Sequence, residues 1–344
     1  MRDVIAAEFP GAAGYLNTAS IGLPPQRTVD AMRSAIDDWQ YGRVHAPDYD
    51  ADVDRARKVF ARLVSAPLES VAIGALVSPL IGHVAAALEP GSRVVAPEGE
   101  FTSVIFPFLT RADIEMVTVP LGRLADSITP DIDLVAFSVV QSSDGAVADL
   151  AGIRAAAAAG GAITVADATQ AVGWLPLDAT NFDVIVVGAY KWLMGPRGTS
   201  FMTVGEAMID QLRPLYAGWY AGDKPWESIY GLPLRLASDA RRFDVSPAWL
   251  SWVGTVPALE LVEEIGVEAI HDHDVGLANE LRAGLGLEAS NSPIVSLELP
   301  ADLEKQRLDG LVTAFRAGRL RVGFHLYNTS DEVAQVLEAV RGQG

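Results

Sequence analysis

Asp167 and Lys191 are the two residues whose types and spacing best suit carbonyl chemistry. One apolar stretch ends at Asp167, and a second ends shortly before Lys191. In open α/β sheets, ligands bind at the edge where such strands end. A carboxylate there can pair with a protonated ring nitrogen, and a partly desolvated lysine can form a Schiff base with a carbonyl group. On spacing alone, a solvated lysine and an aspartate that merely ends a strand are a more frequent explanation of this pattern than a Schiff-base site.

The elements that must hold these residues alternate along the chain between strands and helices. Apolar stretches predict strands at 92–96, 114–120, 133–140, 162–167, 182–187 and 200–204. Several are apolar almost throughout, which is typical of strands buried on both faces. An alanine-rich stretch over 150–159, followed by Gly160 and Gly161, predicts a crossover helix with a glycine stop. The alternation predicts an α/β fold with a mostly parallel sheet covered on both faces.

The pattern changes near Trp249, after which helices dominate. Two short strands are predicted at 294–299 and 320–325, and an amphipathic helix is predicted from Ser330. We therefore expect three parts: an N-terminal segment over 1–40 that packs on the small domain and the active site, a large domain over 41–248, and a smaller α+β domain over 249–344.

Composition limits the classes of partner. The chain has 44 acidic and 26 basic residues and a formal net charge of −18, which disfavours electrostatic attraction to nucleic acid or to an anionic membrane. Met1 is not followed by a basic segment and an apolar stretch, and no apolar run reaches about 18 residues, so we expect no membrane span and a cytoplasmic location. The expected partner is a small molecule.

Sulfur and metal chemistry are limited as well. The chain contains no cysteine, which excludes disulfides, thiolate metal sites and any mechanism in which a protein thiolate carries sulfur. His271 and His273 have no third ligand at a suitable spacing, so no metal site is expected.

The segment around Asp167 and Lys191 resembles the cofactor segment of class V pyridoxal 5′-phosphate (PLP) enzymes of fold type I. This group includes cysteine desulfurases, isopenicillin-epimerase-like proteins and kynureninase. The resemblance rests on Asp167-Ala-Thr-Gln170, on a lysine at the matching distance, and on similarity from Tyr15 to the last helix. It implies that Asp167 pairs with the pyridine nitrogen and that Gln170 contacts the 3′-oxygen. Lys191 would form the Schiff base and move the Cα proton.

The same resemblance implies further cofactor contacts. Val77 and Ser78 open a helix where the family holds the cofactor phosphate. Phe101 is expected to stack on the pyridine face, and Gln141 to lie near the 3′-oxygen. From the residues alone, Ser78 is equally well an ordinary helix cap, and an aromatic residue such as Phe101 usually belongs to a core.

Phosphate binding is expected to depart from the family pattern. Gly188 stands where many relatives have a hydroxyl residue, and Tyr190, which is a further candidate cofactor contact, stands where desulfurases commonly have histidine. The segment 242–247 resembles one that reaches the phosphate of the neighbouring subunit, which implies a homodimer with shared active sites. Phosphate contacts are therefore expected from Ser78 and, across the dimer, from Ser246.

Candidate substrate contacts follow from the resemblance in three segments: Asn17, Ala19 and Ser20; Arg43 and His45; and Arg316 and Arg321. An arginine suits the carboxylate of an amino-acid substrate because its planar fork binds both oxygens. The sequence does not decide between Arg316 and Arg321, and a surface position is the alternative for either.

The block 217–235, continuing to Asp244, resembles C–S lyases of the ergothioneine pathway, which split the C–S bond of hercynylcysteine sulfoxide. Such a cleavage removes the Cα proton and expels a sulfenate, and it needs no protein thiol. Trp219, Tyr220 and Trp226 are candidates to contact the trimethylammonium group, with core or interface aromatics as the alternative. Other hypotheses are an epimerase-like or amino-transferring class V enzyme, and a PLP-fold protein without catalysis.

Overall fold

The computed structural model describes residues 2–298 and 310–341, with only the backbone of Arg2. Within these ranges the large sheet consists of β1 (Val71–Gly74), β2 (Arg93–Pro97), β3 (Glu115–Val119), β4 (Leu134–Ser138), β5 (Ile163–Asp167), β6 (Val184–Gly188) and β7 (Ser200–Val204). The strand order is β1-β7-β6-β5-β4-β2-β3. Strands β3, β2, β4, β5 and β6 run parallel, whereas β7 is antiparallel to both β6 and β1. The predicted α/β fold with a mostly parallel sheet is confirmed.

Some helices cover the two faces of the large sheet, and others pack against the second sheet near the C-terminus. Those in the described ranges are α1 (Arg2–Glu8), α2 (Gln26–Gln40), α3 (Asp50–Leu63), α4 (Val77–Ala85), α5 (Thr102–Leu109), α6 (Leu150–Gly160), α7 (Trp249–Ile265), α8 (Val267–Gly284) and α9 (Ser330–Arg341). Residues of β4 and β6 alternate between two separate apolar clusters, as side chains on opposite faces of a strand do. This double burial explains why these strands are apolar throughout.

A second, antiparallel sheet has the order β8-β10-β9, formed by β8 (Ile294–Leu297), β9 (Ala314–Arg316) and β10 (Arg319–Gly323). A third apolar cluster joins this sheet to α8 and α9. Strand β8 was predicted over 294–299, of which residue 299 lies outside the described residues. The division of the chain at 40/41 and 248/249 remains a prediction.

The local predictions differ from the structure mainly at element ends. The alanine-rich helix is present as α6; Asp149 caps its start by accepting from the amide of Gly152, and Gly161 follows its end at φ 76°. Strands β1 and β9 were not predicted, because four and three residues are too short to show a periodic pattern.

Two kinds of feature are absent from residues 2–298 and 310–341. None of their helices combines the length and apolarity that crossing a bilayer requires. Among the same residues, no three His, Asp or Glu side chains form a cluster able to hold a metal ion.

Candidate active site

A cavity of about 230 Å³ lies at the carboxyl ends of β4, β5 and β6 and contains Lys191. Seven residues predicted to contact the cofactor line it: Val77, Ser78, Phe101, Asp167, Gln170, Tyr190 and Lys191. A larger cavity of about 450 Å³ lies beside Glu206 and Asp239, but neither a lysine nor an arginine lines it. The chemistry therefore points to the smaller cavity.

Asp167 is the last residue of β5, a central strand of the sheet, and its side chain is buried. One carboxylate oxygen accepts a hydrogen bond from the amide of Thr169 at 2.8 Å. Burial raises the pKa of Asp167, and its hydrogen bonds with Thr169 and the charge of Lys191 oppose that rise. A buried carboxylate at a cavity wall favours a cationic or N–H partner there.

Lys191 follows β6 by three residues and is 5% exposed. Burial lowers its pKa to about 8, with the charge of Asp167 opposing and the charges of Arg321, Arg316 and Arg197 adding to the decrease. A lowered pKa makes the neutral, nucleophilic amine available near neutral pH, as attack on a carbonyl group requires.

Two aromatic rings flank the amine. The Lys191 Nζ atom lies 5.5 Å from the centroid of the Phe101 ring and 5.7 Å from that of Tyr190. Phe101 immediately precedes α5 and keeps 43% of its surface exposed, so its ring is not committed to the core.

The side-chain amide of Gln170 connects three segments at one end of the cavity. Its Nε2 donates to the Ala19 carbonyl at 2.9 Å and to Ser142 Oγ at 3.0 Å. Its Oε1 accepts from Trp192 Nε1 at 2.8 Å. The orientation of Gln170 is thus fixed by the N-terminal segment, the turn after β4 and the turn after Lys191.

The two candidate carboxylate arginines meet at Ser20. Arg321 on β10 is 2% exposed and donates to Ser20 Oγ at 2.7 Å and to Ser142 Oγ at 3.2 Å. Arg316 on β9 is exposed and donates to Ser20 Oγ at 3.2 Å. Burial lowers the pKa of Arg321 to about 10, and the charge of Arg316 adds to this. Within 2–298 and 310–341 neither arginine forms an ion pair with a carboxylate.

The N-terminal segment packs directly on the turn that carries Lys191. The amide of Gly22 donates to the Tyr190 carbonyl at 2.9 Å, and a Cβ at Gly22 would lie 2.0 Å from the Lys191 carbonyl oxygen. Only glycine allows this approach. In the same segment, the buried Oδ1 of Asn17 has no hydrogen-bond partner among the described residues.

Several predicted residues lie outside the cavity of their own chain. Gln141 donates from Nε2 to Glu100 Oε2 at 2.9 Å, and the next residue, Ser142, lines the cavity instead. Exposed Arg43 donates to Asp38 Oδ1 at 2.9 Å. His45 and Ser246 are exposed and do not line the cavity.

The aromatic residues of the block 217–235 surround Asp50 at the start of α3. Tyr220 is buried and donates its hydroxyl to Asp50 Oδ1 at 3.0 Å, while Trp226 Nε1 donates to Oδ2 at 2.5 Å. The Trp219 ring lies 5.1 Å from that of Tyr220 and 4.8 Å from that of Trp226, centroid to centroid. None of the three lines the Lys191 cavity of its own chain.

The structure also adds residues that were not predicted for the site: Leu76, Ser103, Ser138, Ser142, Thr169, Arg197 and Ser200. Glu100 lies behind them as a support: it accepts from the Phe101 amide at 2.6 Å and from the Ser138 amide at 2.8 Å. Arg197 could have been recognised from the sequence, because it is a cation in the glycine-containing turn after Lys191. The serines had none, since nothing local distinguishes a cavity serine from a surface one.

Comparison with known proteins shows the family of the chain. The family model described as "Aminotransferase class-V" matches residues 15–295. The chain belongs to the class V aminotransferase family. An uncharacterised aminotransferase of Bacillus subtilis is 26% identical over 83% of this chain and 82% of its own length. A kynureninase of Deinococcus radiodurans is 28% identical over 81% of this chain and 73% of its own length.

The fold is that of fold-type I PLP enzymes. The solved structure of a cystine C–S lyase in complex with its product, cysteine persulfide, superposes with a TM-score of 0.86 at 21% identity, covering 96% of this chain and 98% of that one. Membership of this family supports PLP as the cofactor, and PLP enzymes of the family act on amino-acid substrates.

The residues present fit this cofactor. A lysine amine with a lowered pKa suits an aldehyde, and the buried Asp167 suits a pyridine nitrogen. Helix α4 begins at the cavity wall, and the residue before it, Leu76, gives no side-chain cap, which leaves amide groups for a phosphate.

Proposed function

We propose that the chain is a PLP-dependent C–S lyase that cleaves hercynylcysteine sulfoxide by β-elimination. The products would be a sulfenic acid, which is the precursor of the ergothioneine thione, and pyruvate with ammonia. One observation carries this proposal: the Lys191 cavity has the groups for Cα deprotonation, yet the whole chain lacks a cysteine to take up sulfur. For a substrate with a Cβ–S bond, which the resemblance of the block 217–235 implies, the sulfur must therefore leave on the product.

The atoms of the proposed reaction balance without an oxidant or a reductant. The Cα–H and Cβ–S bonds break, and a Cα=Cβ bond forms. The sulfoxide sulfur leaves as a sulfenate and is protonated to the sulfenic acid. The released 2-aminoacrylate takes up water and yields pyruvate and ammonia.

In this proposal Lys191 attaches the cofactor and afterwards holds and moves the Cα proton, for which its buried amine is suited. Asp167 keeps the pyridine nitrogen protonated, and Phe101 packs on the ring. When bound, PLP accepts the electron pair of the broken Cα–H bond. Gln170, fixed by its bonds to Ala19 and Ser142, contacts the 3′-oxygen.

Arg321 is proposed as the principal ligand of the substrate carboxylate. Its guanidinium is buried, held by Ser20 and Ser142, and without an acidic partner in the described ranges. A buried, unpaired cation favours an anionic ligand because the pair recovers part of the solvation free energy lost on burial. Exposed Arg316, which shares Ser20, would close over the carboxylate from the outer side.

The test is incubation of the purified enzyme with hercynylcysteine sulfoxide in D₂O, followed by mass analysis of products and recovered substrate. We expect equal amounts of pyruvate and ammonia and a sulfenic acid, or the thiosulfinate that two sulfenic acids form by losing water, with Lys191→Ala inactive. The matched control substrate is the non-oxidised thioether, whose thiolate is a poorer leaving group and should react more slowly.

Other outcomes would refute the lyase. Deuterium at Cα of recovered substrate without pyruvate would identify an epimerase-like enzyme. Transfer of the amino group to an added keto acid, with the C–S bond intact, would identify an aminotransferase. Absence of all three reactions would favour a binding protein without catalysis.

We also propose a homodimer with shared active sites. The segment around residue 230 exposes large apolar side chains in the single chain, with Tyr230 87%, Leu232 93% and Leu234 74% exposed. Such a patch is unusual on a monomer and typical of an interface. Ser246 lies outside its own cavity, as a residue serving the neighbouring subunit would.

Complementation tests this arrangement. The test co-expresses Lys191→Ala and Ser246→Asp subunits with different tags. Each variant should be inactive alone: the first lacks the amine that binds the cofactor, and the carboxylate added in the second repels the cofactor phosphate. Purified heterodimers should recover activity, since one of their two sites combines an intact lysine with an intact Ser246. Heterodimers as inactive as both parents would refute the cross-subunit contact.

A further inference from the structure

Gly188 lacks the hydroxyl that many relatives use for the cofactor phosphate, and the structure shows why a larger residue is absent. A Cβ at Gly188 would lie 3.1 Å from Cε1 of Tyr190 and 3.5 Å from Cγ2 of Thr169. The amide of Gly188 already donates to Thr169 Oγ1 at 2.9 Å. The Tyr190 ring therefore crowds the position of a Cβ at residue 188, and a side chain there would require the ring to shift by a few tenths of an ångström.

Arg197 lies on that same ring. Its guanidinium carbon is 5.0 Å from the centroid of Tyr190, a cation–π distance, and both residues line the Lys191 cavity. Within 2–298 and 310–341 Arg197 forms no ion pair with a carboxylate, although acidic residues outnumber basic ones 44 to 26 in the chain. Arg197 is exposed at the cavity wall, so its guanidinium, which has no carboxylate partner among the described residues, is accessible to an anionic ligand in the cavity.

The strand order separates this arginine from the two near Ser20. Arg197 belongs to the connection between β6 and β7, and next to β7 lies β1, which leads into α4. Ser142, which Arg321 contacts, follows β4 on the other side of β5 and Asp167. In PLP the phosphate-bearing carbon and the hydroxyl-bearing carbon flank the aldehyde on opposite sides. With Asp167 at the ring nitrogen and Gln170 and Ser142 on the hydroxyl side, the phosphate falls on the side of Arg197.

We propose that Arg197, stacked on Tyr190, binds the PLP phosphate in place of a hydroxyl residue at position 188. Ser78 and Ser200 line the same cavity and add donors from within the chain, together with the N-terminus of α4 and the cross-subunit contact from Ser246 proposed above. The planar guanidinium gives two parallel hydrogen bonds to phosphate oxygens, which a single hydroxyl cannot.

The experiment measures equilibrium binding of PLP, and of pyridoxal, which lacks the phosphate, to full-length protein freed of cofactor. Visible absorbance and quenching of tryptophan fluorescence report binding. We expect Arg197→Gln to weaken PLP binding about ten- to a hundredfold, the effect of losing a charge-assisted hydrogen bond, and to weaken pyridoxal binding much less, because the charge of Arg197 is the smallest of the contributions to the pKa of Lys191. Arg197→Lys, which keeps the charge but not the fork, should fall between.

Arg123→Gln is the matched control. It removes a positive charge from a side chain that is 71% exposed, lies outside the Lys191 cavity and does not affect the pKa of Lys191, so PLP affinity should stay as in the wild type. Equal loss of PLP and pyridoxal affinity in Arg197→Gln would overturn the proposal, because it would show an effect on Lys191 or on folding. Unchanged PLP affinity with a raised KM would also overturn it and would assign Arg197 to the substrate.

Discussion

Replacing Lys191 by methionine should stabilise the cofactor-free protein. Burial lowers the pKa of Lys191 from its ordinary value of 10.5 to about 8, and at ~1.4 kcal/mol per pH unit the folded chain disfavours the charged amine by roughly 3 kcal/mol. Methionine has a similar length and no charge. We therefore expect Lys191→Met to raise the free energy of unfolding by about 2–3 kcal/mol at pH 7, measured by urea denaturation at fixed protein concentration.

The pH dependence follows from linkage between protonation and folding. Below about pH 8 both the folded and the unfolded wild-type chain carry a protonated Lys191, so the folded state bears the full penalty. Between pH 8 and 10.5 the folded chain loses the proton while the unfolded chain keeps it, so the penalty fades. The advantage of the methionine variant should therefore shrink as the pH rises through this interval.

Lys224→Met is the control, since Lys224 is 67% exposed and paired with Glu227 at 3.2 Å. A surface ion pair of this kind contributes ~0–1 kcal/mol, so the control should change stability little at any pH. If Lys191→Met is no more stable than the wild type at pH 7, or gains further advantage above pH 8, the amine is not desolvated as the structure indicates.

Three further predictions concern the cofactor and the core. Asp167→Asn should still bind PLP, but Cα deuterium exchange should slow by about two orders of magnitude or more because the ring nitrogen loses its carboxylate; near-normal exchange would exclude Asp167 as the ring partner. Asp244→Asn should lower the free energy of unfolding by about 3–5 kcal/mol, because buried Arg57 loses the carboxylate that it contacts at 2.6 Å. A decrease below about 1 kcal/mol in urea denaturation would contradict this. The rate of PLP attachment, followed by visible absorbance, should rise with increasing pH and reach half of its maximum near pH 8. Arg321→Met should shift this midpoint to higher pH, because the charge of Arg321 lowers the pKa of Lys191. An unchanged midpoint would show that Arg321 does not act on Lys191.

The sequence by itself determined the strands that carry the site and the residues at their ends. Strand β5 and the segment up to Lys191 have local signals: apolar runs buried on both faces, and polar residues directly where each run stops. Parallel strands bring their carboxyl ends to one edge, so Asp167 and Lys191 had to meet there. The motif similarity then added Gln170, which lines the same cavity.

Only the tertiary structure decided which side chains complete the site. It placed Arg321 in the buried position and Arg316 outside. Arg321 contacts Ser142, which is 179 residues away in the chain, and Arg316 contacts Ser20, which is 296 residues away. It also turned Gln141 away from the cavity and placed Arg197 on the ring of Tyr190. These outcomes depend on how distant segments pack and in which direction each side chain leaves a turn, and neither is encoded in local hydrophobic periodicity.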